Sequence, residues 1–184
     1  TGRPVARSHS PSRSAPNHVF LWVFRKPDAA SAARHAVPAV SYLETLECDL
    51  VPGSGNGPLA LDLFSGCGGL SLGFEAAGFS TAGFEKNASR VATYNRNLTG
   101  RCVQAVLAEG FDYPAADVVT SGPPCQPYSI AGKRLGPRDS RDGMHVFLDA
   151  VARVRPKAFL LENVKGILSQ HRWYFDLLLD ELKS

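Results

Sequence analysis

The sequence predicts a doubly wound α/β domain with a parallel sheet, whose elements are incomplete at the C-terminal end of the chain. Short apolar runs alternate with amphipathic stretches after residue 58, as in a series of βαβ units. The apolar runs favour strands that are buried on both faces, which is typical of a parallel sheet covered by helices. A glycine-rich turn also separates the first predicted strand from the first predicted helix.

The individual elements follow from local signals. Apolar, β-rich runs predict strands at residues 59–64, 79–85, 117–122 and 157–164. Amphipathic stretches predict helices from about Gly69 to Gly78, after Asn87, over 144–154 and over 173–183. Gly78 suits the left-handed position that follows a helix, and the Asn87 side chain can cap the next helix.

The chain divides near residue 58, after the glycine- and proline-rich segment 51–58. Residues 1–58 are predicted to be a partly disordered basic extension that ends in this linker, and residues 59–184 to be a partial catalytic domain. Five Lys or Arg residues precede the first acid, Asp28. Such a leader either binds nucleic acid or is a solvated tail.

Composition narrows the class of protein further. No apolar run approaches the roughly 18 residues of a membrane span, and the N-terminus lacks the apolar core of a secretory signal. We therefore expect an intracellular protein without a membrane association. The four cysteines form no C-x-x-C pair, and no histidine cluster has metal-ligand spacing, so we expect neither a metal site nor a disulfide scaffold.

The glycine-rich turn lies within DLFSGCGGLSLGF at residues 62–74. Such a turn lets a ligand approach the backbone closely at a helix N-terminus. Its glycine spacing is neither the G-x-G-x-x-G of dinucleotide-binding proteins nor a P-loop. Glu85 ends the second predicted strand, where an acid can hydrogen-bond ribose hydroxyls in this type of fold. The turn alone is also compatible with a tight connection, but the pair indicates a nucleoside-containing cofactor.

Two more polar groups follow predicted strands. Cys125 lies in SGPPCQPYSIAGKR at 121–134, where the prolines favour a stiff loop. A lone cysteine is often a buried apolar residue, but at the carboxyl end of a strand it is also placed to be a nucleophile. Glu162 and Asn163 end the last predicted strand. Glu162 is either a structural acid or a proton donor whose pKa is raised by burial.

Taken in order, DLFSGCGG, GFEKN, GPPCQPYS, DSRDG and ENVKG resemble the first six sequence motifs of the DNA (cytosine-5)-methyltransferases. The resemblance covers about residues 59–184, and it implies a Rossmann-like S-adenosylmethionine-dependent methyltransferase sheet. It also implies double-stranded DNA as the partner. Cys125 would add to C6 of a flipped-out cytosine, and Glu162 would protonate N3 so that C5 can attack the methyl group.

The resemblance also implies the residues that bind each ligand. The cofactor would contact residues in the first turn, after the second strand and before the nucleophile: Phe64, Ser65, Gly66, Cys67, Gly68, Gly69, Leu70, Glu85, Lys86 and Pro123. The DNA would contact residues that flank the catalytic pair: Pro124, Gln126, Ser129, Lys133, Arg134, Arg141, Asn163 and Val164. Arg138 would support the same phosphate contacts, although a solvated basic loop has the same composition.

Two features depart from the family pattern. Many members carry an acid for the adenine amino group where this chain has about Ala105. The chain also ends before the family's Q-x-R-x-R segment and target-recognition region. We therefore expect these residues alone to bind cofactor at best, with the missing region supplied downstream or by a second polypeptide.

Three other functions remain open at this point. A tRNA-directed relative uses the same Cys and Glu chemistry on an RNA loop, although SIAGKR at 129–134 is more similar to the DNA-acting enzymes. A non-catalytic module that binds cofactor or DNA is a second alternative. A nicotinamide-dependent oxidoreductase is disfavoured, because the glycine spacing differs and Cys125 would have no role.

Overall fold

The computed structural model describes residues 50–53, 55–129 and 135–183. The expectations for the leader before residue 50, and for the basic residues Lys133 and Arg134, lie outside the described residues. Segment 51–58, interpreted as a linker, packs against the domain where it is described: Ser80 Oγ donates to Gly57 O at 3.0 Å, and Thr99 Oγ1 donates to Gly53 O at 3.1 Å. The domain boundary near residue 58 stays a prediction.

The described residues form a five-stranded parallel sheet with the order β3-β2-β1-β4-β5. The strands are β1 Leu59–Leu63, β2 Ser80–Glu85, β3 Arg101–Gln104, β4 Val118–Ser121 and β5 Ala158–Leu161. The predicted α/β class is confirmed. Strand β3 was not predicted from the sequence, because only Cys102 among its four residues is buried and no apolar run marks it.

Helices connect these strands. They are α1 Gly69–Ala76, α2 Ala88–Asn97, α3 Met144–Val154, α4 Gly166–Ser169 and α5 Arg172–Glu181, with a 3₁₀ turn at Gly136–Arg138. Two predicted caps are confirmed. The Asn87 side chain accepts hydrogen bonds from Ser89 N and Arg90 N, and Gly78 has a positive φ of 88° directly after α1.

Two apolar clusters hold the layers together. The first joins β1, β2 and β4 to α3 through the buried Leu61, Phe84, Val119 and Phe147. The second joins α3 to α4 and α5. The prediction that the last strand is buried on both sides is wrong: all four residues of β5 are partly exposed. In the described sheet β5 is an edge strand, so it pairs with β4 along one edge and with no described strand along the other.

A buried polar network fixes α1 to the sheet. Glu75 of α1 is fully buried, and both its oxygens accept hydrogen bonds. Thr81 Oγ1 and Gly100 N donate to Oε1 at 2.6 and 2.8 Å, while Thr99 N donates to Oε2 at 3.0 Å and Thr99 Oγ1 at 2.8 Å. Burial alone would raise the pKa of Glu75, but these donors outweigh it and lower the pKa.

Tyr94 extends this network towards β1. Its hydroxyl lies 2.9 Å from both Ser71 Oγ and Thr81 Oγ1. Ser71 Oγ in turn donates to Asp62 at 2.6 Å. Burial raises the pKa of Asp62 to about 6, although the hydrogen bonds from Ser71 act in the opposite direction. Hydrogen bonds from Ser71 and Tyr94 therefore connect the carboxyl end of β1 to helices α1 and α2.

Candidate active site at the carboxyl edge of the sheet

The strand order reverses between β1 and β4, which are neighbours in the sheet but not in sequence. The connections that follow these two strands lead to opposite sides of the sheet, so a crevice opens beyond their carboxyl ends. The glycine-rich turn follows β1, and the Cys125 loop follows β4. The topology therefore brings the two predicted motifs to one crevice.

The glycine-rich turn adopts an unusual backbone. Phe64, Gly66 and Gly68 have φ values of 57°, 56° and 95°. A side chain at Gly68 would also lie 2.4 Å from Leu98 Cδ1, so this position requires glycine. A Cβ atom at Gly66 or Gly69 would meet nothing within 4 Å. The turn is thus packed on its inner side and open where a ligand would approach.

Glu85 reaches this turn from the end of β2. Its Oε2 accepts a hydrogen bond from Gly66 N at 3.1 Å, and its Oε1 accepts one from Asn87 N at 2.8 Å. Arg90 Nη1 lies 3.8 Å from Oε2. The Glu85 side chain is only 5% exposed, so it is not a surface acid. A carboxylate offers about four acceptor positions, so acceptor capacity remains for ligand hydroxyls.

Cys125 lies in a loop, as predicted, and the described part of this loop makes a turn after Cys125. Cys125 O accepts hydrogen bonds from Tyr128 N at 3.0 Å and from Ser129 N at 2.9 Å. The Cys125 thiol is free and half-buried. After the residues that are not described, Gly136 N donates to Pro127 O at 2.9 Å and closes the base of the loop.

Glu162 and Asn163 lie beside this loop. Glu162 N donates to Ser121 O at 2.9 Å, and a Cβ atom on Gly122 would lie 3.6 Å from Glu162 Oε2. Asn163 Nδ2 donates to Pro123 O at 3.2 Å. The expected burial of Glu162 is wrong, since its side chain is exposed beyond the end of the edge strand. Its carboxylate nevertheless lies near the nucleophile loop.

The remaining predicted residues differ in exposure. Ser65, Gly68 and Pro123 are buried. Phe64, Gly66, Leu70, Pro124, Ser129 and Val164 are partly buried, and Cys67, Gly69, Lys86 and Gln126 are exposed. Phe64 and Pro123 both lie against Gly143, where a Cβ atom would be 2.8 Å from Phe64 Cζ and 3.0 Å from Pro123 Cβ. Both loops therefore approach Gly143.

The described basic residues are less available than the sequence suggested. Arg141 is bound to Asp139 through Nε at 2.8 Å and Nη2 at 2.7 Å, and this pairing raises the pKa of Arg141. A phosphate would have to compete with that carboxylate. Arg138 is exposed at the end of the 3₁₀ turn.

The sequence did not reveal the buried residues that anchor the Cys125 loop to the rest of the fold. Asp142 is buried and accepts hydrogen bonds from the hydroxyls of Tyr128 and Tyr174, both at 2.8 Å. The only sequence signal was that Asp142 belongs to DSRDG and Tyr128 to GPPCQPYS. Nothing in either motif indicates that the two side chains meet.

No helix in the described part of the chain is long and apolar enough to cross a bilayer. Within the same residues, no group of three or more His, Cys, Asp or Glu side chains is arranged to hold a metal ion.

Most of the chain after residue 59 is similar to known proteins. Residues 60–184 match the family described as C-5 cytosine-specific DNA methylase. The chain is 50% identical over 128 residues to the Type II methyltransferase M.AplI of Arthrospira platensis, which covers 68% of this chain and 36% of that protein. It is 42% identical over 123 residues to the Type II methyltransferase M.AquIA of Picosynechococcus, which covers 59% of this chain and 49% of that protein.

The chain therefore spans 36% and 49% of the lengths of these two relatives. Among solved structures, Streptomyces venezuelae DesVI superimposes with a TM-score of 0.44 and 15% identity, over 59% of this chain and 44% of that one. The family match includes both the glycine-rich turn and the Cys125 loop and extends over more than half of the chain. This protein belongs to the C-5 cytosine-specific DNA methylase family.

Proposed function

We propose that this chain is the cofactor-binding and nucleophile-bearing part of an enzyme that methylates C5 of cytosine in DNA. The observation that carries this proposal is the position of Glu162 Oε2, beside Gly122 in the loop that bears Cys125. A thiol and a carboxylate at the ends of neighbouring strands are the pair that addition to a pyrimidine ring requires.

The chemistry assigns a task to each group. The Cys125 thiolate forms a bond from Sγ to C6, while Glu162 gives a proton to N3 and so balances the charge that develops on the ring. C5 becomes nucleophilic and would take the methyl group, while the electron pair of the broken methyl–sulfur bond would stay on the donor. Loss of the C5 proton to water then re-forms the C5–C6 double bond and expels Sγ, and N3 returns its proton to Glu162. Asn163 holds the nucleophile loop through Pro123 O.

The residues present fit S-adenosylmethionine as the methyl donor. Space is open at Gly66 and Gly69, and the buried Glu85 carboxylate lies next to it. We infer that Glu85 accepts hydrogen bonds from the ribose and that the open glycines border the methionine end. When bound, S-adenosylmethionine supplies an electrophilic methyl group. The chain's own residues position the ring atoms that receive it.

DNA is favoured over tRNA by the family description and by the 50% identical Type II relative. The enzyme would act on DNA inside the cell. The target cytosine must leave the base stack of the duplex to reach Cys125. Base flipping costs a few kcal/mol, which contacts on both sides of the duplex would offset. We propose that a further segment or a second polypeptide supplies the opposite side, since the matched residues span only 36% and 49% of the two relatives.

Methyl incorporation tests the function. The chain alone, and the chain joined to the C-terminal part of the 50% identical relative, are incubated with tritiated S-adenosylmethionine and with DNA or tRNA. We expect 5-methylcytosine, identified by mass spectrometry, in DNA treated with the joined protein and little with the chain alone. Incorporation into tRNA but not DNA would contradict the proposed substrate. Sequence-specific methylation of DNA by the chain alone would remove the need for a second part.

Glu85→Ala tests the cofactor assignment. The substitution removes a charged acceptor and also releases Gly66 N, so we expect S-adenosylmethionine binding to weaken by about 1.5–3 kcal/mol. Calorimetry on the folded chain measures this change. Asp112→Ala, which removes an exposed acid, is the matched control and should leave the affinity unchanged. An affinity of Glu85→Ala within about a factor of two of the wild type would refute the assignment.

A further inference from the structure

We propose that Tyr128 and Asp142 form a positioning pair that fixes the Cys125 loop for catalysis. This inference rests on the proposed function, because it gives the pair a role in placing the nucleophile. Neither residue needs to touch a substrate. The Tyr128 hydroxyl donates to Asp142 Oδ1 at 2.8 Å, and both side chains are buried, at 2% and 7% exposure.

Asp142 is a junction between three parts of the fold. Tyr128 reaches it from the nucleophile loop, and Tyr174 reaches it from α5 with a hydrogen bond to Oδ2 at 2.8 Å. Met144 N, at the start of α3, donates to Oδ1 at 3.1 Å. A buried carboxylate with three donors holds its position, because each lost donor would leave a desolvated charge less well satisfied.

Tyr128 connects Asp142 to the backbone of the nucleophile, which lies three residues earlier in the same loop. Its backbone N donates to Cys125 O at 3.0 Å, so the anchored residue closes the turn that carries the thiol. Its carbonyl is tightly packed, since a Cβ atom on Gly166 would lie 2.0 Å from Tyr128 O. Its ring meets His171 edge-on, with centroids 5.5 Å apart. The hydroxyl is the polar contact of this side chain with the rest of the fold.

Tyr174 provides a matched control within the same cluster. Tyr128→Phe and Tyr174→Phe each remove one hydroxyl from the same carboxylate and leave an aromatic ring in place. The two variants should lose similar amounts of stability. Only Tyr128 belongs to the nucleophile loop, so only its variant should change the behaviour of that loop.

Two measurements on the whole chain report on the loop. The first is amide hydrogen exchange at Tyr128 and Ser129, whose N–H groups bind Cys125 O. The second is the alkylation rate of Cys125 by iodoacetamide, divided by that of the exposed Cys67 in the same molecules. The ratio cancels changes in reagent concentration, and the Tyr174→Phe variant controls for a change in global unfolding. In Tyr128→Phe we expect both quantities to rise about tenfold, and in Tyr174→Phe less than about twofold.

The outcomes separate a positioning role from a merely structural one. Equal changes in the two variants, or no change in either, would overturn the proposal. Should Tyr128→Phe fail to fold, Asp142→Asn, which keeps one oxygen acceptor, replaces it, and an unchanged ratio in that variant counts against the pair. In methyl-transferring protein, Tyr128→Phe should lower kcat and leave KM for S-adenosylmethionine unchanged. Loop effects in the chain, without any methyl transfer by the joined wild-type protein, would reject the proposed function alone.

Discussion

Replacement of Cys125 by alanine is expected to lower methyl transfer by at least about a thousandfold, because C5 cannot attack a methyl group until a nucleophile has added to C6. The covalent step can be observed directly with DNA that contains 5-fluorocytosine. Fluorine at C5 cannot leave as a proton does, so the protein remains attached to the base. A completed wild-type enzyme should give an adduct in denaturing gels, and Cys125→Ala should give none.

Cys67→Ala is the control for this experiment. Cys67 is exposed in the glycine-rich turn, and it is the alternative nucleophile nearest to the proposed cofactor site. The adduct should form in full yield when this thiol is removed. An undiminished adduct in Cys125→Ala, together with its loss in Cys67→Ala, would transfer the nucleophile to the turn and change the proposed mechanism.

Replacement of Glu75 by glutamine is expected to destabilise the chain by about 3 kcal/mol, although the two side chains have nearly the same shape. Gly100 N donates to Oε1 and Thr99 N donates to Oε2. Whichever way the new amide turns, its NH₂ group faces one of these backbone donors. Because the Glu75 side chain is fully buried, the new amide cannot turn to solvent instead. Urea unfolding at pH 7 measures the difference.

The matched control is Glu109→Gln, which makes the same chemical change at an exposed position and should shift stability by less than about 0.5 kcal/mol. The effect at Glu75 should also depend on pH. The folded state lowers the pKa of Glu75, so the carboxylate stabilises the fold above the ordinary glutamate pKa, and this contribution is lost as the pH falls through the lowered value. The gap between variant and wild type should therefore narrow in acid. A constant gap would show that the charge is not responsible.

The candidate site was largely predictable because of how parallel sheets are built. Their carboxyl ends share one edge, so Glu85, Cys125 and Glu162, each placed after an apolar run, had to lie along that edge. The turn at Gly66 and Gly68 was likewise visible as a glycine pattern between a strand and a helix. These inferences needed only local periodicity and the direction of the strands.

The tertiary structure decided the rest, because the remaining features depend on partners far apart in sequence. Strand β3 has only one buried residue, Cys102, so its own sequence does not mark it as a strand. It forms because its backbone pairs with β2. Glu162 is exposed because β5 is an edge strand in the described sheet. The sequence by itself determined which groups are candidates for the chemistry and on which edge they lie. Folding alone brought Tyr128 to Asp142, because a buried hydrogen bond across 14 positions leaves no periodic signal.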